Sequence, residues 1–237
     1  MLLFDTIVDY EKDIYRNIAS IKKSQDLFDD LSDDPRDWEA ANTLDASTHP
    51  QLTRNAIVQR GFDYSRNDFI EYPFEHISVS RFSDSSFPCW YGSETLETSI
   101  YETTHHVVSY IKDSAEAFFG TPVVTVERKV GIVNCSGLAI DLSGKTKEFP
   151  WLVDKNNYTK CQEVGRRVSK EGHPLIRVRS ARHDQGINMV AFKNDVLSNA
   201  RECCFLEYKI DTMKFSVDVF RNDEKLKFTG KRHLKSV

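Results

Sequence analysis

Six residues in two stretches carry groups able to hold and act on an anionic ligand. RFSDSSFPCWYGSETLETSIYETTHH, Arg81 to His106, contains Arg81, Tyr91 and Glu102, and RVRSARHDQGINMVAF, Arg177 to Phe192, contains Ser180, Arg182 and Asn188. The guanidinium of Arg81 offers a planar, bidentate fork of the kind that grips phosphate. Tyr91 supplies an aromatic face or a phenol. Glu102 supplies a carboxylate. Ser180 and Arg182 place a hydroxyl and a second guanidinium two residues apart, where both can meet a polyanion. Asn188 follows the turn HDQG. Each also has a plainer reading: a strand arginine is usually at a surface or edge, a helical glutamate is usually solvated, and a serine at a strand end usually makes a turn.

The elements that must carry these residues are legible in the hydrophobic pattern. HISVSRF alternates apolar and polar, and CWYG is a short apolar run ending in glycine, so both read as strands and Arg81 is expected in the first. Ser93 reads as a helix N-cap, with Glu94 and Glu97 in the first turn, where carboxylates suit the helix dipole. Leu96, Ile100, Thr103, Val107 and Ile111 form one face of the helix that follows, to about Asp113. Glu102 lies about 150° from that stripe, so it can be catalytic only if its face lines a cleft. TPVVTVERKV and LAIDL read as strands. NNYTKCQEVGRRVSKEG reads as a helix closed by Gly172. PLIRVRS, INMVAF, CFLEYKI and KFSVDVF read as four more strands, with a helical turn around Asp195–Ala200. Short strands with few helices, and no βαβ alternation, predict an α+β fold with a mixed or antiparallel sheet.

Upstream, the apolar residues between Leu3 and Leu31 are spaced mostly by three and four, which predicts an amphipathic helix ended at DDLSDDP by Pro35. Residues 1–70 are expected to be a helical N-terminal extension, 71–225 the main domain, and 226–237 a loosely ordered basic tail.

The 237-residue chain is 40% hydrophobic and 11% aromatic, enough for a sizeable core. Its formal net charge of -4 gives no reason to expect nucleic acid or an anionic membrane as partner, so positive charge for an anionic ligand must be local. No window is long and apolar enough for a membrane span, and the start has no basic segment leading into an apolar one. The five cysteines include no CxxC pair, which argues for reduced thiols in a cytoplasmic protein. His105 and His106 point about 100° apart on a helix and cannot chelate together, so no metal site is expected. GKTKEF lacks the upstream glycine of a phosphate loop, and Ser180 lacks a GxSxG elbow.

The two stretches resemble the signature of the RES domain family, named for its arginine, glutamate and serine. An early strand of that family carries the arginine. A segment Y-L-[AG]-x-x-x-E-T-A-[LI]-x-E-x-x-H-H supplies the tyrosine and glutamate, and P-S-A-R-x-x-x-G-x-N-[LMV]-x-[LV]-F supplies the serine and asparagine. Residue by residue these fall on Arg81, Tyr91, Glu102, Ser180 and Asn188, within core motifs at 76–195. Gly92 stands where a leucine is usual, and Arg179 replaces the common proline.

The resemblance implies a split mixed sheet like that of the ADP-ribosyltransferase toxins, holding NAD+ as substrate and needing no cofactor or metal. It implies cleavage of the nicotinamide–ribose bond by hydrolysis or by phosphorolysis with inorganic phosphate as co-substrate, or else ADP-ribosyl transfer to a protein. A third reading is a non-catalytic interaction module. The implied roles are Glu102 stabilising positive charge at the ribose, Arg81 pairing with phosphate, and Tyr91 at the nicotinamide riboside. Ser180 orients an oxygen of the ligand, with Arg182 and Asn188 as supporting binders. The implied setting is the toxin half of a type II toxin–antitoxin pair, held by an antitoxin with an Xre-type helix-turn-helix. Residues 1–70 then have three candidate roles: covering the cleft, making a homo-oligomer contact, or binding the antitoxin.

Overall fold

A computed structural model describes residues 3–20 and 65–227. Its strands are β1 (Ile7–Ala19), β2 (Trp90–Ser93), β3 (Val123–Asp141), β4 (Leu175–Arg179), β5 (Ile187–Ala191), β6 (Leu197–Asp211), β7 (Ser216–Arg221) and β8 (Glu224–Lys225). Its helices are the single turn α1 (Tyr72–Glu75), which continues a π-helical turn at Asn67–Glu71, then α2 (Leu96–Asp113) and α3 (Thr159–Glu171). They build one mixed sheet in the order β1-β2-β5-β4-β3-β6-β7-β8, with β1 also paired to β3. The α+β class expected from the pattern is the class that forms.

The expected helix at the N-terminus is a strand instead. Residues 7–19 pair antiparallel with β3 without interruption, from Ile7 opposite Ile140 to Ala19 opposite Arg128. Tyr10, Ile14 and Ile18 are four apart, a spacing that keeps side chains on one face of a helix and of a strand alike. Val8 and Tyr10, two apart on that same core face, fit only the strand, and the β-branched Ile7, Val8, Ile14 and Ile18 favour it. The segment is therefore part of the sheet and not a layer laid over it. The rest of the expected extension, 21–64, and residues 228–237 of the expected tail lie outside the described residues.

β3 is also one continuous strand where two were expected. Its length lets it serve two half-sheets. Its first part pairs with β6 (Val123 opposite Asp211) and its last three residues pair in parallel with β4 (Ala139 opposite Leu175). β4, β5 and β2 form the second half, which meets β1 again only at Tyr15 opposite Ser93. The sheet thus closes on itself through β1, and β1 and β2 part company just past that single pairing.

Alternation along the strands fills both faces. Tyr10, Ile14, Trp90, Val133, Leu175, Met189 and Ala191 fill the interior of the closed part, with Phe69 and Ile70 packed among them. Ile176, Val178 and Val190 face the other way and are covered by α3 through Cys161, Val164 and Val168. Ile100, Val108 and Ile111 of α2 cover β3, β6 and β7. α3 ends as expected at Gly172, whose φ of +78° is the left-handed conformation that a residue without a Cβ adopts at least cost.

Candidate functional site

Between the two halves of the sheet lies a cleft of about 610 Å³, lined by residues of β1, β2, α2, β3, β4 and β5. α2 contributes Ser99, Glu102, Thr103 and His106, a polar stripe at helical spacing beside the apolar one. The face that a helical wheel assigns to solvent therefore lines the cleft. The helix is capped by Thr95, whose side chain accepts from the Thr98 amide. Ser93, the expected cap, is instead the last residue of β2, and its hydroxyl donates to Asn188 Oδ1 at 2.8 Å.

Glu102, Ser180 and Asn188 come together. Ser180 Oγ donates to Glu102 Oε1 at 2.6 Å, and Asn188 Nδ2 donates to the same oxygen at 2.7 Å. Ser180 Oγ in turn accepts the backbone N–H groups of Arg182 (3.0 Å) and His183 (2.9 Å). With both lone pairs engaged by amides, its proton can point only at Glu102. Among the described residues no group reaches Oε2, which leaves that oxygen for a ligand.

The loop from Ser180 to Gly186 is pinned to α2. His183 Nδ1 shares a hydrogen bond with Thr98 Oγ1 at 2.9 Å, and its ring stacks on Tyr101 with centroids 4.7 Å apart.

Arg81 lies in the cleft wall but not in a strand. HISVSRF forms no strand beyond an isolated bridge between Val79 and Asp84. The chain there is held by side chains: Tyr91 Oη accepts the Phe82 amide at 2.8 Å and lies 2.9 Å from Ser80 Oγ, while Gln162 donates to the Ser80 carbonyl. Tyr91 is a lining residue of the cleft and spends its phenol on positioning the loop that carries Arg81. Burial pushes that phenol well above its ordinary value, so it remains a neutral hydroxyl. Arg81 donates to the Asp154 carbonyl at 2.6 Å and stacks on Tyr158 with its carbon 4.4 Å from the ring centroid. Arg182 donates to Tyr158 Oη at 3.1 Å and to the Lys155 carbonyl at 2.7 Å, so the two expected guanidiniums meet one tyrosine, Arg81 at its ring and Arg182 at its hydroxyl.

Three cleft arginines were missing from the expected set: Arg16, Arg128 and Arg179. Arg16 donates to the Tyr91 carbonyl at 2.6 Å, and Arg179 to the Ser143 carbonyl at 3.1 Å. Five arginines and a single carboxylate, Glu102, thus line the cleft, and none of the five has an ion pair with a described acid. Exposed arginines elsewhere do: Arg166 with Asp84, Arg167 with Glu171, Arg201 with Asp13. The cleft is a local excess of positive charge in a chain that is acidic overall, an environment suited to a polyanion.

Gly92, one of the two departures from the family pattern, has a local cause. A Cβ there would come 2.4 Å from Ile14 Cγ2 and 2.5 Å from the Trp90 ring, so β1 fills the space a side chain would take. No group of three or more metal-binding side chains occurs among the described residues, and none of their helices is long and apolar enough to cross a membrane. All five cysteines are unpaired.

Of the comparisons with known proteins, the family model agrees with the motif reading. Among solved structures, a chain in the crystal structure of the M.tuberculosis MbcT-MbcA toxin-antitoxin complex aligns with 12% identity and a TM-score of 0.44, over 83% of this chain and 86% of that one. No curated protein matches. The family model for the RES domain matches residues 55–216, well over half of the chain, and the chain belongs to the RES domain family.

Proposed function

We propose that the cleft binds NAD+ and cleaves its nicotinamide–ribose bond. The observation that carries this reading is the single carboxylate, Glu102, held by Ser180 and Asn188 in a cleft that also carries five arginines without an ion pair among the described residues. NAD+ has the matching chemistry: a pyrophosphate for the arginines and, at the ribose, a bond whose breaking develops positive charge. As that bond breaks, its electron pair stays on the nicotinamide nitrogen. The pyridinium leaves as neutral nicotinamide and the ribose becomes oxocarbenium-like. A fixed carboxylate beside that ribose stabilises the transition state more than the substrate, because the charge it answers exists only there. Glu102 Oε2 is the free oxygen for this, and Ser180 and Asn188 keep it from rotating away. Arg81 and Arg182, braced on Tyr158, hold the pyrophosphate. A nucleophile then attacks the ribose carbon: water yields ADP-ribose, and inorganic phosphate yields its phosphorylated form.

Family membership supports a wider reading. The activity is that of a toxin, restrained by an antitoxin with an Xre-type helix-turn-helix. Purified protein incubated with NAD+, with and without inorganic phosphate, should release nicotinamide. No release in either condition overturns the enzymatic reading.

A further inference from the structure

Among the side chains that line the cleft, those able to take up a proton near neutral pH are Glu102, His76 and His106. The arginines keep theirs, and burial pushes the Cys89 thiol and the Tyr91 phenol up, so both stay protonated. His76 stands at the end of α1 with its ring against Tyr72, centroids 4.3 Å apart. His106 stands on α2, one turn beyond Glu102, in the polar stripe of the cleft wall.

The rest of that stripe is already engaged. Ser99 donates to the Leu96 carbonyl at 2.7 Å and Thr103 to the Ser99 carbonyl at 2.8 Å. Glu102 Oε1 is taken by Ser180 and Asn188. His106 makes no hydrogen bond with a described residue, and its ring lies edge-on to that of His105 at 5.6 Å. Both its ring nitrogens are therefore open. Residues four apart on a helix hold their Cβ atoms about 5–6 Å from each other, which leaves room for a water molecule between imidazole and carboxylate.

Water attacking the ribose must lose a proton. Taken up by Glu102, that proton would cancel the negative charge that the cationic ribose needs. His106 has no such conflict. Desolvation pulls its imidazole below the ordinary value, with the cleft arginines acting the same way and Glu102 against them. The ring is thus neutral before the step, and the neighbouring carboxylate steadies the imidazolium after it.

We propose that His106 is the general base for water in this cleft, and so decides how NAD+ is divided between hydrolysis and phosphorolysis. The proposal rests on the NAD+ reading. The carbon–nitrogen bond breaks with its electron pair going to nicotinamide, and a lone pair of water forms the new carbon–oxygen bond. The proton released by that water passes to an imidazole nitrogen of His106 and from there to solvent. The hydrogen phosphate dianion attacks through an oxygen that carries no proton, so it needs no base.

Nicotinamide, ADP-ribose and its phosphorylated form are measured together for wild type and H106A, with and without inorganic phosphate. Without phosphate, H106A should form ADP-ribose at least tenfold more slowly, and added imidazole should restore part of the rate. With phosphate, the ratio of phosphorylated to free ADP-ribose should rise at least tenfold, an effect that loss of structure alone does not produce. If circular dichroism shows that H106A does not fold, H106Q replaces it and the same ratio is read. An unchanged ratio, or an unchanged rate of hydrolysis, overturns the role of His106 and leaves the NAD+ reading in place. So does a wild type that forms only the phosphorylated product. If wild type forms none of that product, failure of imidazole to restore hydrolysis overturns the role. No nicotinamide from wild type in either buffer overturns the NAD+ reading itself, and the role of His106 with it.

Discussion

Ser180 and Glu102, seventy-eight positions apart in sequence, meet at 2.6 Å with the serine hydroxyl as donor. Two backbone amides saturate the hydroxyl from behind, so the serine acts on the carboxylate's orientation and does not present itself as a nucleophile. This division of labour separates the expected effects of substitution.

Glu102→Ala should leave the circular dichroism and melting of the protein near those of wild type and remove nicotinamide release. A preorganised electrostatic group of this kind contributes about 2.7–4 kcal/mol to the barrier, or roughly 10²–10³ in rate. A parallel assay of the two proteins measures it.

Ser180→Ala should cost both activity and stability. It frees the Glu102 carboxylate to turn and strands the amides of Arg182 and His183. An unmet donor of this kind costs about 1–3 kcal/mol. Denaturant unfolding together with kcat reads both, and a Ser180→Thr control should restore the hydrogen bonds in part.

Tyr91→Phe keeps the ring and deletes the hydroxyl that accepts the Phe82 amide. The loop carrying Arg81 should loosen, so KM should rise more than kcat falls. Equal activity of the two proteins would remove the positioning role.

Gly165→Ala should destabilise the protein. An added Cβ would fall 1.8 Å from the Phe82 carbonyl oxygen, and backbone must move to admit it. Overpacking costs about 1–3 kcal/mol and sometimes more. The displaced loop is again the one holding Arg81, so ligand affinity should fall with the melting temperature.

Acid should weaken the join between β3 and β4. Burial pushes the Asp141 carboxyl up, but its hydrogen bonds from Ser143 and the adjacent Arg177 outweigh this and hold it below 3.8. A carboxyl more acidic in the folded than in the unfolded chain stabilises the fold in full above its unfolded value, and the benefit fades as pH falls from there through the folded value. Unfolding free energy should therefore drop below about pH 4. Asp141→Asn should show a shallower decline over that range. An identical decline in both proteins would assign it to other groups.

The site was legible where chemistry and local pattern coincide. Glu102, Ser180 and Asn188 stand in motifs whose residues meet in the fold, and α2, α3 and β4 to β7 follow the periods of their apolar residues. Arg81 was placed in a strand because HISVSRF alternates, yet that segment is held by Tyr91 and Gln162 from distant elements, which local alternation cannot reveal. Thr95 displaces Ser93 as cap because Ser93 is still needed to finish β2, a competition invisible when both are small hydroxyl residues two positions apart. Arg16 was missed for a related reason. Read as part of a helix, it had no wall to line. The two-residue step from Val8 to Tyr10 was the signal for a strand that would have put it there. Arg128 had no such signal, since nothing in VERKV distinguishes it from a surface residue until β1 supplies Asn17.

The pairing of β1 with β3 joins positions more than a hundred residues apart. During synthesis β1 leaves the ribosome before every other described strand and must wait for β3, and Asn188 is later still. At about 5–20 residues per second that interval is on the order of ten seconds or longer. An unfinished chain has Arg16 but no opposing wall, so a translating ribosome carries no assembled cleft until almost the whole of this domain has been made.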